Sequence, residues 1–375
     1  MDFSFGFAHA YEFHYSLFPW RREPLEKRVS VTIQRLIQTG ASWWRPHIPW
    51  NRIESKILEP GLRPPDVTEG LVEDYASGAY PGVDWAETDQ WVGAVTAAGV
   101  RLHIGLGIAY VSQLPSFEKS GRTALFTPGV VDPEIYLGHL SLHARATVRR
   151  YKDKIRVWQL ENELNNAAEV TFVNKWRKGK WYPWNWLTRV IETLCEAVKR
   201  EDPSAVATHN FSCDTPDLGR LYSWRKDIER WLAYLDWVGI DRYPNYLKGR
   251  FNRGAEVGGL ACRVRDLVPA EKPLWVLETG IPAEPARKGF SEALQAYYYA
   301  TVLDAVQKAG ADGVLFYCFV SQEGYPGNDW HKRRPWNDVE DYWGLFRADD
   351  TPREAFRWLR RHFGPASATG PELVF

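Results

Sequence analysis

Eight short apolar runs alternate with eight helical patterns along this chain, and no other feature restricts its fold as much. The runs fall at residues 3–10, 41–48 and 100–108, in a stretch opening at Lys154 with Ile155, Val157, Trp158 and Leu160, and at 205–211, 236–243, 273–280 and 313–320. Between and after them the 3.6-residue spacing predicts helices over 24–38, 84–98, 132–151, 187–200, 224–234, 254–268, 291–309 and 352–362. Gly40 and Gly99 stand as helix stops, and Asp132-Pro133 reads as a capping acid followed by proline at the first helical position. Strand–helix alternation implies a parallel sheet. Eight units over 375 residues imply that the sheet closes into one α/β domain over 1–375, a (β/α)8 TIM barrel with long βα loops. An open doubly wound sheet would show a glycine-rich phosphate turn, and Gly105-Leu-Gly107 lacks the third glycine.

Bulk properties remove several classes of function. Lys and Arg together number 47, and so do Asp and Glu, so nothing favours nucleic acid or an anionic membrane as partner. No apolar run approaches the ~18 residues that would suggest a bilayer span. The N-terminus has no basic segment or cleavage site, so a cytoplasmic location is expected. Cys195, Cys213, Cys262 and Cys318 lie far apart and read as reduced thiols. His9 and His14 lack metal-ligand spacing, so neither metal nor cofactor is expected. The 19 tryptophans, by contrast, offer flat faces suited to pyranose rings and point to a carbohydrate ligand.

In a barrel of this kind the site gathers at the carboxyl ends of the strands. Those ends carry His9 and Glu12; Arg45 and His47; Glu161, Asn162 and Glu163; His209 and Asn210; Asp241, Arg242 and Tyr243; Glu278; and, past the eighth, Gln322 and Glu323. A glutamate on the fourth strand would face one on the seventh, and a carboxyl pair about 5–5.5 Å apart is what retaining glycoside hydrolysis needs. One donates a proton to the leaving oxygen, and the other attacks the sugar carbon.

These residues carry a resemblance. Trp158-x-x-x-Asn162-Glu163 resembles the strand-four signature of clan A glycoside hydrolases, the 4/7 barrels, and Val276-Leu-Glu278-Thr-Gly280 resembles their strand-seven nucleophile segment. Val238-Gly-Ile-Asp-Arg-Tyr243-Pro resembles their strand six, Arg45 matches their strand-two arginine, and Tyr342–Arg353 resembles their closing segment. Gly6–Glu12 has a faint likeness to family-one β-glucosidases that strands three and seven do not follow, so no family within the clan is assigned.

The resemblance implies a retaining β-glycosidase acting on a terminal sugar or short oligosaccharide by double displacement. Glu163 would be the acid/base, its pKa raised among aromatic rings, and Glu278 the nucleophile. Asn162 would donate to the sugar 2-hydroxyl, and Arg45 and Tyr243 would hold Glu278 ionised. The clan often has a tryptophan under the sugar at the end of strand eight; here Phe319, or Trp330, Trp336 or Trp343 from the following loop, would stand in.

Other readings stand beside these. Glu161 competes with Glu163 from two residues away. His9, His47 and His209 read either as sugar ligands or as structural imidazoles, and Asp241 either as a buried acid or as a substrate contact. Lys175, Arg177, Lys178 and Lys180 with Trp176, Trp181 and Trp184 form a solvated loop or a rim for acidic sugars. A catalytically silent carbohydrate-binding barrel, an endo-acting glycanase and a transglycosylase are the alternative functions.

Overall fold

The computed structural model describes residues 3–8, 24–58, 64–106, 114–119, 121–127, 130–165, 184–214, 223–246, 249–321 and 339–365. Eight strands close a barrel: β1 (Ser4–Ala8), β2 (Trp43–Arg45), β4 (Arg101–Gly105), β7 (Val157–Asn162), β8 (Val206–Ser212), β9 (Trp237–Asp241), β10 (Leu274–Thr279) and β11 (Gly313–Tyr317). Around the barrel they run β1-β11-β10-β9-β8-β7-β4-β2, so strand order follows chain order. The ladders are parallel: Phe7 lies opposite Phe316 on one side and Trp44 on the other. Parallel strands covered on both faces need apolar residues throughout, and β9 and β10 are buried at every position.

Several strands are shorter than the sequence predicts. The second expected run, 41–48, is a strand only over Trp43–Arg45, because Pro46 has no N–H for the ladder; His47 rejoins as an isolated bridge to Gly105. The eighth ends at Tyr317, and Val320 leaves the barrel to bridge to Phe346. At the close approach of β1 to β2, a β-carbon on Gly6 would stand 2.0 Å from the Trp43 carbonyl oxygen, so no side chain fits there.

The helices are α1 (Leu25–Gln38), α2 (Trp50–Ile53), α3 (Glu69–Ser77), α4 (Ala86–Ala97), α5 (Pro133–Tyr151), α6 (Trp184–Glu201), α7 (Trp224–Trp231), α8 (Ala255–Arg265), α9 (Glu292–Lys308) and α10 (Glu354–Phe363). α5 shows why they start where they do. The Asp132 carboxylate accepts from the Glu134 N–H, Pro133 follows at the first helical position, and Arg149 and Arg150 lie in the last turn.

Residues 49–82, which none of the predicted strands or helices covers, contain α2, β3 (Lys56–Ile57) and α3, and the loop after β4 contains β5 (Ser116–Lys119) and β6 (Arg122–Leu125). β3, β5 and β6 form a separate three-stranded sheet, with β3 parallel to β5 and β5 antiparallel to β6.

Contacts divide the chain into two units, one of residues 1–46, 93–102 and 240–375, the other of 47–92 and 103–239. In the first, Trp43 meets Trp275 edge-on at 5.3 Å and Tyr299 stacks on Phe316 at 4.0 Å. In the second, Trp50 stacks on His143 at 4.9 Å, and both belong to a buried polar row. Trp50 Nε1 and the Tyr75 hydroxyl each donate to Glu54 Oε2 at 3.0 Å, and the same hydroxyl lies 3.3 Å from His143 Nδ1. Burial pushes the Glu54 carboxyl up to about 7, against the pull of its two donors, and pushes His143 down to about 3. Among the described residues no helix is long and apolar enough to cross a membrane, and no cluster of His, Cys, Asp and Glu is arranged to hold a metal ion.

Candidate active site

In the first unit three strand ends converge on Glu278, the penultimate residue of β10. Arg45, the last residue of β2, donates from Nη1 to Glu278 Oε1 at 2.7 Å, and Tyr243, just past β9, donates its hydroxyl to Oε2 at 2.7 Å. Arg45 is fully buried and Glu278 is only 5 % exposed. Each carboxylate oxygen thus takes a short bond from a different side chain, and both donors favour the charged form.

Asp241, the fully buried end of β9, adds a second acid whose charge acts on Arg45 and Tyr243. Burial, the largest influence on the Tyr243 hydroxyl, acts with the charges of Glu278 and Asp241 to raise it well above its ordinary value, so it stays a proton donor. For Arg45 burial opposes the charge, yet the same two acids outweigh it and raise the guanidinium.

Rings surround this grip. Tyr243 meets Trp343 edge-on at 5.2 Å and Tyr317 at 6.1 Å, and Trp343 lies 5.7 Å from Tyr246, whose hydroxyl donates to Glu340. Tyr317 is half-buried at the end of β11. Phe319, expected under a sugar, is fully buried between Phe7 at 5.1 Å and Phe346 at 5.4 Å, because the strand stops two residues before it.

In the second unit β7 ends Gln159-Leu-Glu161-Asn162, and Glu163 is the next residue. The pairing of β7 with β8 shifts register between Gln159 and Asn162, so Glu161 and Glu163 do not share one regular strand face. Glu161 is fully buried, and its side chain accepts from the Asn162 N–H at 2.9 Å. Glu163 is half-buried and has φ 45°, in the left-handed region, a conformation that costs a non-glycine residue roughly 1–2 kcal/mol. Its N–H donates to Asn210 Oδ1 at 3.1 Å. Asn210 Nδ2 donates to Asn162 Oδ1 at 3.0 Å, and Gln159 Nε2 donates to Asn210 Oδ1 at 2.8 Å.

His209 is fully buried, with Nδ1 2.8 Å from the Glu161 carbonyl and its ring edge-on to Phe211 and Trp231. His47 is buried beside Gly105, where an added β-carbon would stand 2.1 Å from its Nδ1. His9, Glu12, Gln322, Glu323, Trp330, Trp336 and the basic loop of Lys175–Lys180 lie outside the described residues. The sequence singles out neither Gln159 nor Tyr317 and assigns Asn210 no role. Tyr317 ends the eighth strand three residues before the apolar run itself ends. The signal for Gln159 was a polar side chain inside an otherwise apolar run.

No protein-family model matches the chain, and no curated protein sequence does. Solved structures do. GH5_18 from Streptomyces cattleya, crystallised with GlcNAc, matches with a TM-score of 0.65 at 14% identity, covering 96% of this chain and 79% of its own. The exo-β-1,4-mannosidase Op5Man5 from Opitutaceae bacterium strain TAV5 matches with a TM-score of 0.61 at 14% identity, over 96% of this chain and 58% of that one. The β-glycosidase BGL167 matches with a TM-score of 0.62 at 16% identity over 99% of both chains. Likeness at these identities establishes architecture: the chain folds as the (β/α)8 barrel that those glycosidases share.

Proposed function

We propose that this protein is a retaining β-glycosidase that removes a terminal β-linked sugar by double displacement, with residues 1–375 as its catalytic domain. The observation that carries the reading is Glu278, a nearly buried carboxylate gripped at 2.7 Å by Arg45 and at 2.7 Å by Tyr243. A carboxylate fixed in this way, at the carboxyl end of a barrel strand, presents an oriented anion to a ligand.

In the first step a Glu278 oxygen bonds to the anomeric carbon while the glycosidic bond breaks. Glu163 gives its proton to the departing oxygen. In the second, Glu163 takes a proton from water, the water oxygen bonds to the anomeric carbon, and the bond to Glu278 breaks. Two inversions return the original configuration. Asn162 donates to the sugar 2-hydroxyl, a bond that tightens as the ring becomes cationic. Tyr317, at the end of β11 and 6.1 Å from the Tyr243 ring, would serve as the ring under the sugar.

Glu278→Ala is expected to abolish turnover of nitrophenyl β-glycosides in a chain that still folds, with a lower melting temperature because Arg45 is left buried without its anion; activity near the wild-type level refutes the assignment. A 2-deoxy-2-fluoro glycoside should leave its glycosyl mass on the peptide containing Glu278. Two of the similar structures hold GlcNAc and Manβ1-4GlcNAc, and a third is an exo-β-1,4-mannosidase, so β-mannosides head the panel. Sugar binding without turnover would instead favour the silent carbohydrate-binding barrel.

A further inference from the structure

We infer that Asn210 is a positioning residue that holds Asn162 and Glu163 in their working orientations, with Gln159 fixing the direction of its amide; this rests on the retaining reading, in which Glu163 protonates the leaving oxygen. Asn210 comes from β8 and is fully buried, yet it binds two consecutive residues at the end of β7. Its Oδ1 accepts the Glu163 N–H at 3.1 Å, and its Nδ2 donates to Asn162 Oδ1 at 3.0 Å.

The direction of each amide follows from groups that cannot be reversed. The Glu163 N–H is a backbone donor, so the Asn210 oxygen must face it and the Asn210 nitrogen must face Asn162. Asn162 then has to present its oxygen inward, which makes Nδ2 the end that serves as donor to substrate. Gln159 locks the same polarity from below. Its Nε2 reaches the Glu161 carbonyl at 3.0 Å, a backbone acceptor, and also Asn210 Oδ1 at 2.8 Å and Asn162 Oδ1 at 3.3 Å. A flipped Asn210 would set its NH2 against the Gln159 NH2 and the Glu163 N–H at once.

The bond to the Glu163 N–H also has a conformational task. Glu163 turns out of the strand at φ 45°, which a side chain disfavours, and the Asn210 oxygen holds its amide there. Without that acceptor the backbone relaxes toward the ordinary region and carries the Glu163 carboxyl away from the leaving oxygen.

The test is leaving-group dependence in the full-length protein. A 2,4-dinitrophenyl glycoside departs without protonation, and an alkyl glycoside of the same sugar does not. Asn210→Ala is expected to lower kcat/KM for the alkyl glycoside about 10²-fold further than for the dinitrophenyl glycoside, the scale of a displaced general acid. Asn210→Asp keeps the acceptor for Glu163 and loses the donor to Asn162. It should restore the wild-type ratio of the two substrates while lowering both. Asn210→Ser, too short to span both partners, replaces the alanine variant if that does not fold. Equal losses on both substrates, or no loss, in variants that melt like the wild type overturn the role of Asn210. Glu163→Gln is the reference: if it shows no leaving-group dependence, the retaining assignment itself falls, and with it the role built on it.

Discussion

Glu54→Gln would show where the proton rests in the buried row Glu54–Tyr75–His143. Folding raises the Glu54 carboxyl from 4.5 to about 7 and lowers His143 from 6.5 to about 3, burial being the largest cause in both. The Glu54 contribution is fully present below pH 4.5 and is lost as pH rises through 7. That of His143 is present above 6.5 and is lost as pH falls toward 3. Between pH 4.5 and 6.5 the unfolded chain carries both groups charged and the folded chain carries both neutral. Both states then hold one proton between the pair, and the two slopes cancel. Gln keeps an acceptor for Trp50 and Tyr75 but cannot titrate, so the variant retains only the His143 slope. Its stability relative to the wild type should rise with pH by about 1.4 kcal/mol per unit, about 3 kcal/mol across the window in total. Urea unfolding followed by tryptophan fluorescence at pH 4.5, 5.5, 6.5 and 7.5 measures the difference directly. A difference that stays flat across those four points refutes the reasoning.

Two further outcomes follow from the grip on Glu278. Tyr243→Phe removes one of its donors and leaves the ring against Trp343, so kcat should fall roughly 10–10²-fold with little change in melting temperature, read by steady-state kinetics beside thermal unfolding. Arg45→Met strands a nearly buried carboxylate, and chemical denaturation should show a loss of about 3–5 kcal/mol together with the loss of turnover.

The barrel could be read from the sequence because its signal repeats eight times, so an error in one strand leaves the alternation standing. Arg45, Tyr243 and Glu278 could each be placed at a strand end in the same way, and the structure joins them by hydrogen bonds that no sequence spacing encodes. The small sheet could not be read, since β3 has two residues and β5 and β6 four each, too few for a period. α3 did leave a signal, Thr68 as its cap and Gly78 at φ 84° as its stop, but it lies in a proline- and glycine-rich stretch that reads as loop. The early end of the eighth strand has a different cause. An apolar run continues past Tyr317, and only the bridge of Val320 to Phe346 shows that the chain has already left the barrel. Glu161 and Glu163 look equivalent by alternation, and the register shift that separates them is a tertiary event.

The partners of Glu278 come from far along the polypeptide: Arg45 precedes it by 233 residues, and the Trp343 ring that braces Tyr243 follows it. Closing so wide a loop is slow and entropically costly. On the ribosome, therefore, a nascent chain would carry no armed carboxylate until the segment holding Trp343 had emerged.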